Sequence, residues 1–587
     1  MSEIIDYDNN DNDAITQSLF GQMMKTPERD DMVKNNAGGY VFPVSDETAI
    51  TRYCILGTTD GSYYASQSQM DDDMFNIFKK MIGQGKSETI FKIASEIYLD
   101  NRAPKPENSL KLISYLDKNT EPGRDKIVRQ HIAEFIPKIR IGTHLYTFTK
   151  FHVAGETKGW GRRIKNAYIN WFSSRDAQPL AYQLYKYAQR DSWSALDLIR
   201  LCHVNPTLLT SDQQLVIKSV AKGLQETLET TGNEQIRSYL SLIHRLKTVT
   251  DDEFKQNIQS FVDIIRANKI PREFLQTWML NYTDIWLALL LDKENKNIIM
   301  PITALIRNLG VMSSKDIFID NNIANMVAQH LKNKNVISKG HVHPVQFLIA
   351  ERTYSTGHGD KGSLTWAVNP TIRQALEDAF YISFGTIEPT GKRIFHAIDG
   401  SGSMTMQMSC LPCMTSCEAV TTLAMVFSRT ESSETQTFAL FSSQNQYNSK
   451  YTSHNSRLGS NIGFKKISIT PDSRLSDATE ITRLSDFGNT DCSLPMLKAI
   501  EEYNESNGEK GKYDAFIVYT DNETWAGHVK PSIALQKYRA ITNIPAKLIV
   551  VATTATKYSI ADPTDNGMLD IVGFDTNAPR IIHDFLL

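Results

Sequence analysis

RIFHAIDGSGSM, residues 393–404, decides the fold: a β-prone run whose last residue, Asp399, opens directly into Gly400, Ser401, Gly402 and Ser403. Runs that are apolar on both faces belong in the middle of a parallel sheet, and doubly wound sheets place ligands at the C-terminal edge of such strands. Three further runs share this texture: QTFALF (436–441), DAFIVYTD (514–521) and KLIVVA (547–552). Helical stretches separate them, as in a βαβ array. From about residue 370 onward the chain reads as an α/β domain.

The strand and loop together spell D-x-S-x-S. A hard cation such as Mg²⁺ takes oxygen ligands in near-octahedral array and keeps several waters, so hydroxyls beside carboxylates suit it. Ser401 and Ser403 supply hydroxyls, and Thr490, ahead of a predicted helix, supplies a third. DAFIVYTD also ends in an aspartate, Asp521, whose strand end lies on the same sheet edge as Asp399 if the strands are parallel. Taken by itself, D-x-S-x-S is more often a turn with an N-cap serine. With Thr490 and Asp521 in order, the set Asp399, Ser401, Ser403, Thr490 and Asp521 resembles the metal-ion-dependent adhesion site of von Willebrand A domains.

Upstream, from about residue 70 to 350, apolar residues recur at three- and four-residue steps: Met74, Phe75, Phe78 and Met81; Ile132, Phe135 and Ile136; Ile258, Phe261, Ile264 and Ile265. Such blocks predict amphipathic helices, broken at NRAPKP (101–106) and TTGN (230–233). No strict period appears, so a stacked helical repeat and an irregular helical domain both fit. Residues 1–30 are polar and poor in aliphatics, which predicts a flexible acidic tail.

A chain of 587 residues exceeds one core. Its formal charge of −3 hides an uneven spread, about eight negative over the first ~110 residues and about eight positive over the next ~90. Six scattered cysteines are too few for a disulfide scaffold and fit a reducing compartment. The start MSEIIDYDNN is unlike a signal peptide, and no apolar run approaches membrane-spanning length.

Within the positive stretch, residues 160–203 interleave cations with aromatics: Trp160, Arg162, Arg163, Lys165, Tyr168, Trp171, Tyr182, Tyr185, Lys186, Tyr187, Arg190, Trp193, Arg200 and His203. If 179–190 is helical, Lys186 and Arg190 share a face, and Arg200 and His203 lie three apart on the next helix. Such a face could clamp phosphates. Aromatics at helical spacing are more often core residues, and exposed cations usually only a solvated face.

Other signals carry less. Cys410, Cys413 and Cys417 lack a fourth zinc ligand, so they read as inert thiols. Thr390-Gly391-Lys392 precedes its strand instead of following one, unlike a phosphate loop. His341, His343 and His358 show no catalytic or metal spacing, and no nucleophile, base and oxyanion set can be assembled, so the chain reads as a non-enzyme.

The strings WGR (160–162), TALIRNLG (303–310), TGHG (356–359), EPTGKR (388–393), TDCSLPM (490–496), TDNET (520–524), IPAKLIV (544–550) and GFDT (573–576) together resemble the Ro autoantigen (TROVE) family over nearly the whole chain after the tail. That resemblance implies a TROVE domain at 31–370, a closed ring of HEAT-like helical repeats, followed by a von Willebrand A domain at 371–587 with its metal site. It implies Y RNA on the ring's outer face, single-stranded 3′ ends of misfolded noncoding RNAs in its cavity, and a role in RNA quality control without catalysis. It places the family's basic pair and histidine on Lys186, Arg190 and His203, matches Arg162, and keeps the charge at Lys165. A cytoplasmic monomer, with nuclear residence left open, follows from the same likeness. Two departures stand out: Ala188 and Ala195 replace polar or basic residues, which would reshape RNA contacts, and the metal loop carries two glycines, which would make it pliant. The competing role is a protein scaffold whose metal site captures an acidic side chain of a partner.

Overall fold

The computed structural model describes residues 21–587 apart from 28, 60, 155–159, 229–232, 360–361, 386–387, 444–462 and 486–487. Two compact units emerge. One comprises residues 81–101 and 106–383, the other the residues up to 80, 102–105 and 384–587. The expected break TTGN falls largely outside the described residues, whereas NRAPKP does separate two helices.

The first unit is helical. Its main helices are α1 (Ser87–Leu99), α2 (Glu107–Asn119), α3 (Gly142–Val153), α4 (Arg162–Ser173), α5 (Ala177–Lys186), α6 (Ala195–Cys202), α7 (Glu234–Thr248), α8 (Ile302–Ser314), α9 (Pro344–Ser355) and α10 (Pro370–Ser383). Each buries one stripe; in α1 it is Ile90, Ala94, Ile97 and Tyr98, at the spacing of one helical face. Near neighbours in sequence pack together, α1 on α2, α2 on α3, α8 on α9 and α9 on α10, the pattern of a helical repeat. The array also returns on itself. The Asn101 side-chain amide donates to the His341 carbonyl at 2.9 Å and accepts from Arg140 at 3.2 Å, so the segment after α1 meets the turn before α9.

The second unit is built on a six-stranded sheet of β1 (Ile394–Asp399), β2 (Gln436–Phe441), β3 (Phe464–Ile467), β4 (Ala515–Thr520), β5 (Lys547–Ala552) and β6 (Met568–Val572). The strand order is β6-β5-β4-β1-β2-β3, all parallel except β3 at one edge. β1 and β4 are buried at every residue, as central strands covered on both faces must be. From β1 the chain first winds to β2 on one side and later returns to β4 on the other. The topological switch therefore falls between β1 and β4, where an open α/β sheet forms its ligand crevice.

The division differs from the expected boundary near residue 30. Residues 33–34 and 40–43 pair as strands, and 40–43 pairs in turn with Tyr558–Ser559. The helix holding Met74 and Phe78 also falls mainly in the sheet unit. Nor are all of residues 1–30 a loose tail. Gln22 is fully buried: its amide donates to Asp491 Oδ1 (2.6 Å) and the Val529 carbonyl (3.0 Å) and accepts from Thr524. Lys530 Nζ caps the Gly21 carbonyl at 3.1 Å. Composition misleads here because hydrogen bonds to a preformed cleft, not apolar burial, offset the ordering entropy. Residues 1–20 lie outside the described residues. Gln22→Ala strands the buried Asp491 carboxylate without its amide donor, so thermal unfolding of the purified chain should show a loss of about 1–3 kcal/mol; an unchanged Tm would make the contact dispensable.

Candidate functional site

At the switch point Asp399 ends β1, wholly buried. Its Oδ1 accepts from the Ser401 backbone N–H (2.9 Å) and its Oδ2 from the Thr520 hydroxyl (2.6 Å). The Ser401 and Ser403 hydroxyls lie 3.3 Å apart. Asp521, one residue past β4, accepts from the Glu523 N–H (3.0 Å) and from the Ser403 hydroxyl. Gly402 N–H donates to the Gly488 carbonyl (2.9 Å), which ties this loop to the segment carrying Thr490. A second bond, from Gly400 N–H to the Phe441 carbonyl (2.7 Å), holds the loop against the sheet edge. Asp399, Ser401, Ser403 and Asp521 are therefore brought together, and the segment carrying the buried Thr490 is tied to their loop.

Their chemistry fits a hard divalent cation. The Thr490 hydroxyl is buried and has no hydrogen-bond partner among the described residues, although its carbonyl accepts from Trp525 and Ala526. Burial and the nearby Asp521 push the Asp399 carboxyl up to about 7, and burial raises Asp521 as well. Two adjacent buried carboxylates with an idle hydroxyl beside them make an oxygen-rich cradle that a cation would complete. Among the described residues no group of three His, Cys, Asp or Glu side chains offers a competing metal cluster.

Gly400 is not a pliant link. A Cβ on Gly400 would overlap Ser485 Oγ, and that hydroxyl donates to the Gly400 carbonyl. Close approach, not freedom, requires glycine there. Gly400→Ala should cost about 1–3 kcal/mol in urea unfolding, and adding Ser485→Ala should recover part of it; a neutral Gly400→Ala would refute the clash. Thr520, Ser485 and Gln22 escaped the sequence reading. Only Thr520, inside the TDNET string, left any signal there.

The basic stretch is only partly as expected. Tyr168 and Trp171 are core residues: Trp171 Nε1 donates to the Ile139 carbonyl (2.8 Å), and Tyr168 shares a hydrogen bond with Thr149 (2.8 Å). The helix expected over 179–190 stops at Lys186. Arg190 sits instead on a hairpin, Gln189–Arg190 paired with Trp193–Ser194. Its turn residues Asp191 and Ser192 both have positive φ, 53° and 66°, as a two-residue type I′ turn needs. His203 is not within α6 but caps it in the left-handed conformation, φ 50°.

Lys186 is half-buried, its ammonium donating to the Tyr182 hydroxyl (2.8 Å) and lying over the Tyr182 and Tyr187 rings at 4.9 and 5.3 Å. Arg190 is exposed, with Asp191 at 3.8 Å. Arg190 and Arg140 both act on His144, which burial first, then these two charges, hold down to about 3. Arg140 is thus a neighbour of Arg190 that the sequence reading left out. Lys165 acts on the buried Cys202 thiol at the end of α6, beside Arg200 and His203. Arg162, Arg200 and His203 are exposed, and none of them, nor Lys165, has an ion-pair partner among the described residues. Of the two departures, Ala188 is exposed, whereas Ala195 is buried at the start of α6, where its size matters to packing.

A helical-repeat unit joined to an α/β domain with a D-x-S-x-S loop at its switch point defines the class of TROVE and von Willebrand A proteins. Residues 33–353 match the TROVE domain, and residues 393–586 match the Ro60 vWA domain. The TROVE match begins among residues that fold with the sheet unit. The chain is 32% identical to the RNA-binding protein RO60 of Caenorhabditis elegans, covering 96% of this chain and 92% of that one. It is 30% identical to the RNA-binding protein RO60 of Deinococcus radiodurans, covering 94% and 95%. The crystal structure of the Deinococcus radiodurans Ro (RSR) protein aligns over 92% of this chain and 99% of its own, with a TM-score of 0.61 and 27% identity. The chain belongs to the Ro60 family of RNA-binding proteins.

Proposed function

We propose that this chain holds small structured noncoding RNA of the Y type on the face bearing Arg162, Lys165, Lys186, Arg190, Arg200 and His203. Single-stranded 3′ ends of misfolded noncoding RNAs enter the cavity of the closed array, and the protein serves noncoding-RNA quality control and stability without catalysis. The observation that carries this reading is that Arg162, Lys165, Arg200 and His203 have no carboxylate partner among the described residues, in a stretch where the chain gains about eight positive charges. The experiment is to sequence the RNA recovered with the chain purified at low salt. Small structured RNAs are expected; recovery of none would move the role to the sheet unit.

The cradle of Asp399, Ser401, Ser403, Thr490 and Asp521 holds a divalent cation, Mg²⁺ fitting its oxygen donors best. A cation there would supply an open coordination position for an acidic group. Exposed Tyr63 and Met406 line a recess that also includes Ser403 and Asp521, which favours a protein partner at this site as a second role. Among the described residues none of the six cysteines forms a disulfide, which supports a cytoplasmic location.

A further inference from the structure

Between α8 and α9 the helical unit has a half-open cleft of about 410 Å³, in the size range of small-ligand pockets. Leu309 and Val311 of α8, Ile349 and Ala350 of α9, and Trp366 form its apolar wall. On α9 the lining residues Gln346, Ile349, Ala350 and Thr353 recur at three- and four-residue steps, so one whole helix face is turned to the cavity.

The aromatic part of the wall is locked in place. A Cβ on Gly310 would strike the Trp366 ring at 2.8 Å, so glycine lets the indole lie against the α8 backbone. Trp366 Nε1 donates to the Tyr354 carbonyl (2.9 Å), and the two rings stack at 6.2 Å and 17°. The polar part is idle. The side chains of Arg307, Gln346 and Thr353 line the cavity without a hydrogen-bond or ion-pair partner among the described residues.

We infer that this cavity is a nucleotide site. A planar base lies along Trp366 and the aliphatic wall, the Gln346 amide and Thr353 hydroxyl reach the edge of the base, and Arg307 engages the phosphate. An acyl chain would leave the amide and hydroxyl unsatisfied, and a bare anion would leave the indole wall unused. The inference deepens the RNA reading and rests on it only for the source of the nucleotide, which is either free in solution or part of a strand.

The test uses the full chain with two probes. AMP and adenosine are titrated by calorimetry, and a short single-stranded oligoribonucleotide bearing 4-thiouridine is photo-cross-linked and its attachment mapped. A free nucleotide as ligand gives AMP binding that Arg307→Gln weakens about tenfold while adenosine binding holds. A strand as the source gives no AMP binding but a cross-link in the peptide containing Trp366, lost in Gly310→Ala. Gln346→Ala, at a half-buried position, should weaken whichever signal appears. Neither AMP binding nor a cross-link near Trp366, or signals indifferent to all three variants, would overturn the assignment. Lys186→Gln with Arg190→Gln should leave both readouts unchanged, so failure of the outer basic face and failure of this cavity are told apart.

Discussion

Thr490→Ala is expected to abolish most of the Mg²⁺-dependent stabilisation of the sheet unit while leaving its Tm in EDTA untouched. The Thr490 hydroxyl is buried without a partner among the described residues, so deleting it removes an unsatisfied group and costs the metal-free fold almost nothing. A cation at 100 times its Kd stabilises by about 2.7 kcal/mol, which raises Tm by roughly 4–5 °C in a unit of this size. Asp399→Asn should remove the rise altogether. It keeps a side-chain oxygen to accept from the Thr520 hydroxyl but withdraws the charge that a cation needs. Scanning calorimetry with EDTA and with excess Mg²⁺ checks both variants. If Thr490→Ala lowers Tm as much in EDTA as in Mg²⁺, the hydroxyl is structural and the cradle is not a metal site.

That cradle was readable in the sequence because its residues obey a pattern: carboxylates at the ends of two apolar strands, with hydroxyls in the loops that follow. The central strands were readable for the same reason, since Ile394–Asp399 and Ala515–Thr520 are buried throughout and must be apolar on both faces. Phe464–Ile467 and Met568–Val572 went unread because they are the sheet's two edges, where half-solvated residues such as Lys465, Lys466 and Asp570 break the apolar run. Gln22 was unreadable for a different reason. Its partners Asp491, Thr524 and Val529 lie more than 450 positions away, and no local period encodes a polar plug. The Arg190 hairpin hid behind Asp191-Ser192, which adopts the double left-handed turn without the Asn-Gly or Asp-Gly signature that announces one.

On the proposed RNA-binding face, that hairpin shapes how charge is presented. Lys186 ends α5 between two tyrosine rings, which fixes its direction, whereas Arg190 projects from a turn whose Asp191 accepts from Thr147 at 2.9 Å. The Arg190–Asp191 pair at 3.8 Å is exposed and too weak to neutralise the guanidinium. Lys186→Gln with Arg190→Gln should therefore remove two phosphate contacts. The plot of log Kd against log salt for a structured Y-type RNA should flatten by about two, and affinity at low salt should fall at least about tenfold. Fluorescence anisotropy across a salt series measures both. Arg190→Gln taken singly is the cleaner probe, since an exposed side chain contributes little to folding, and it should flatten the slope by about one. A slope unchanged in the double variant would mean that phosphates are held elsewhere, and the outer basic face would lose its role.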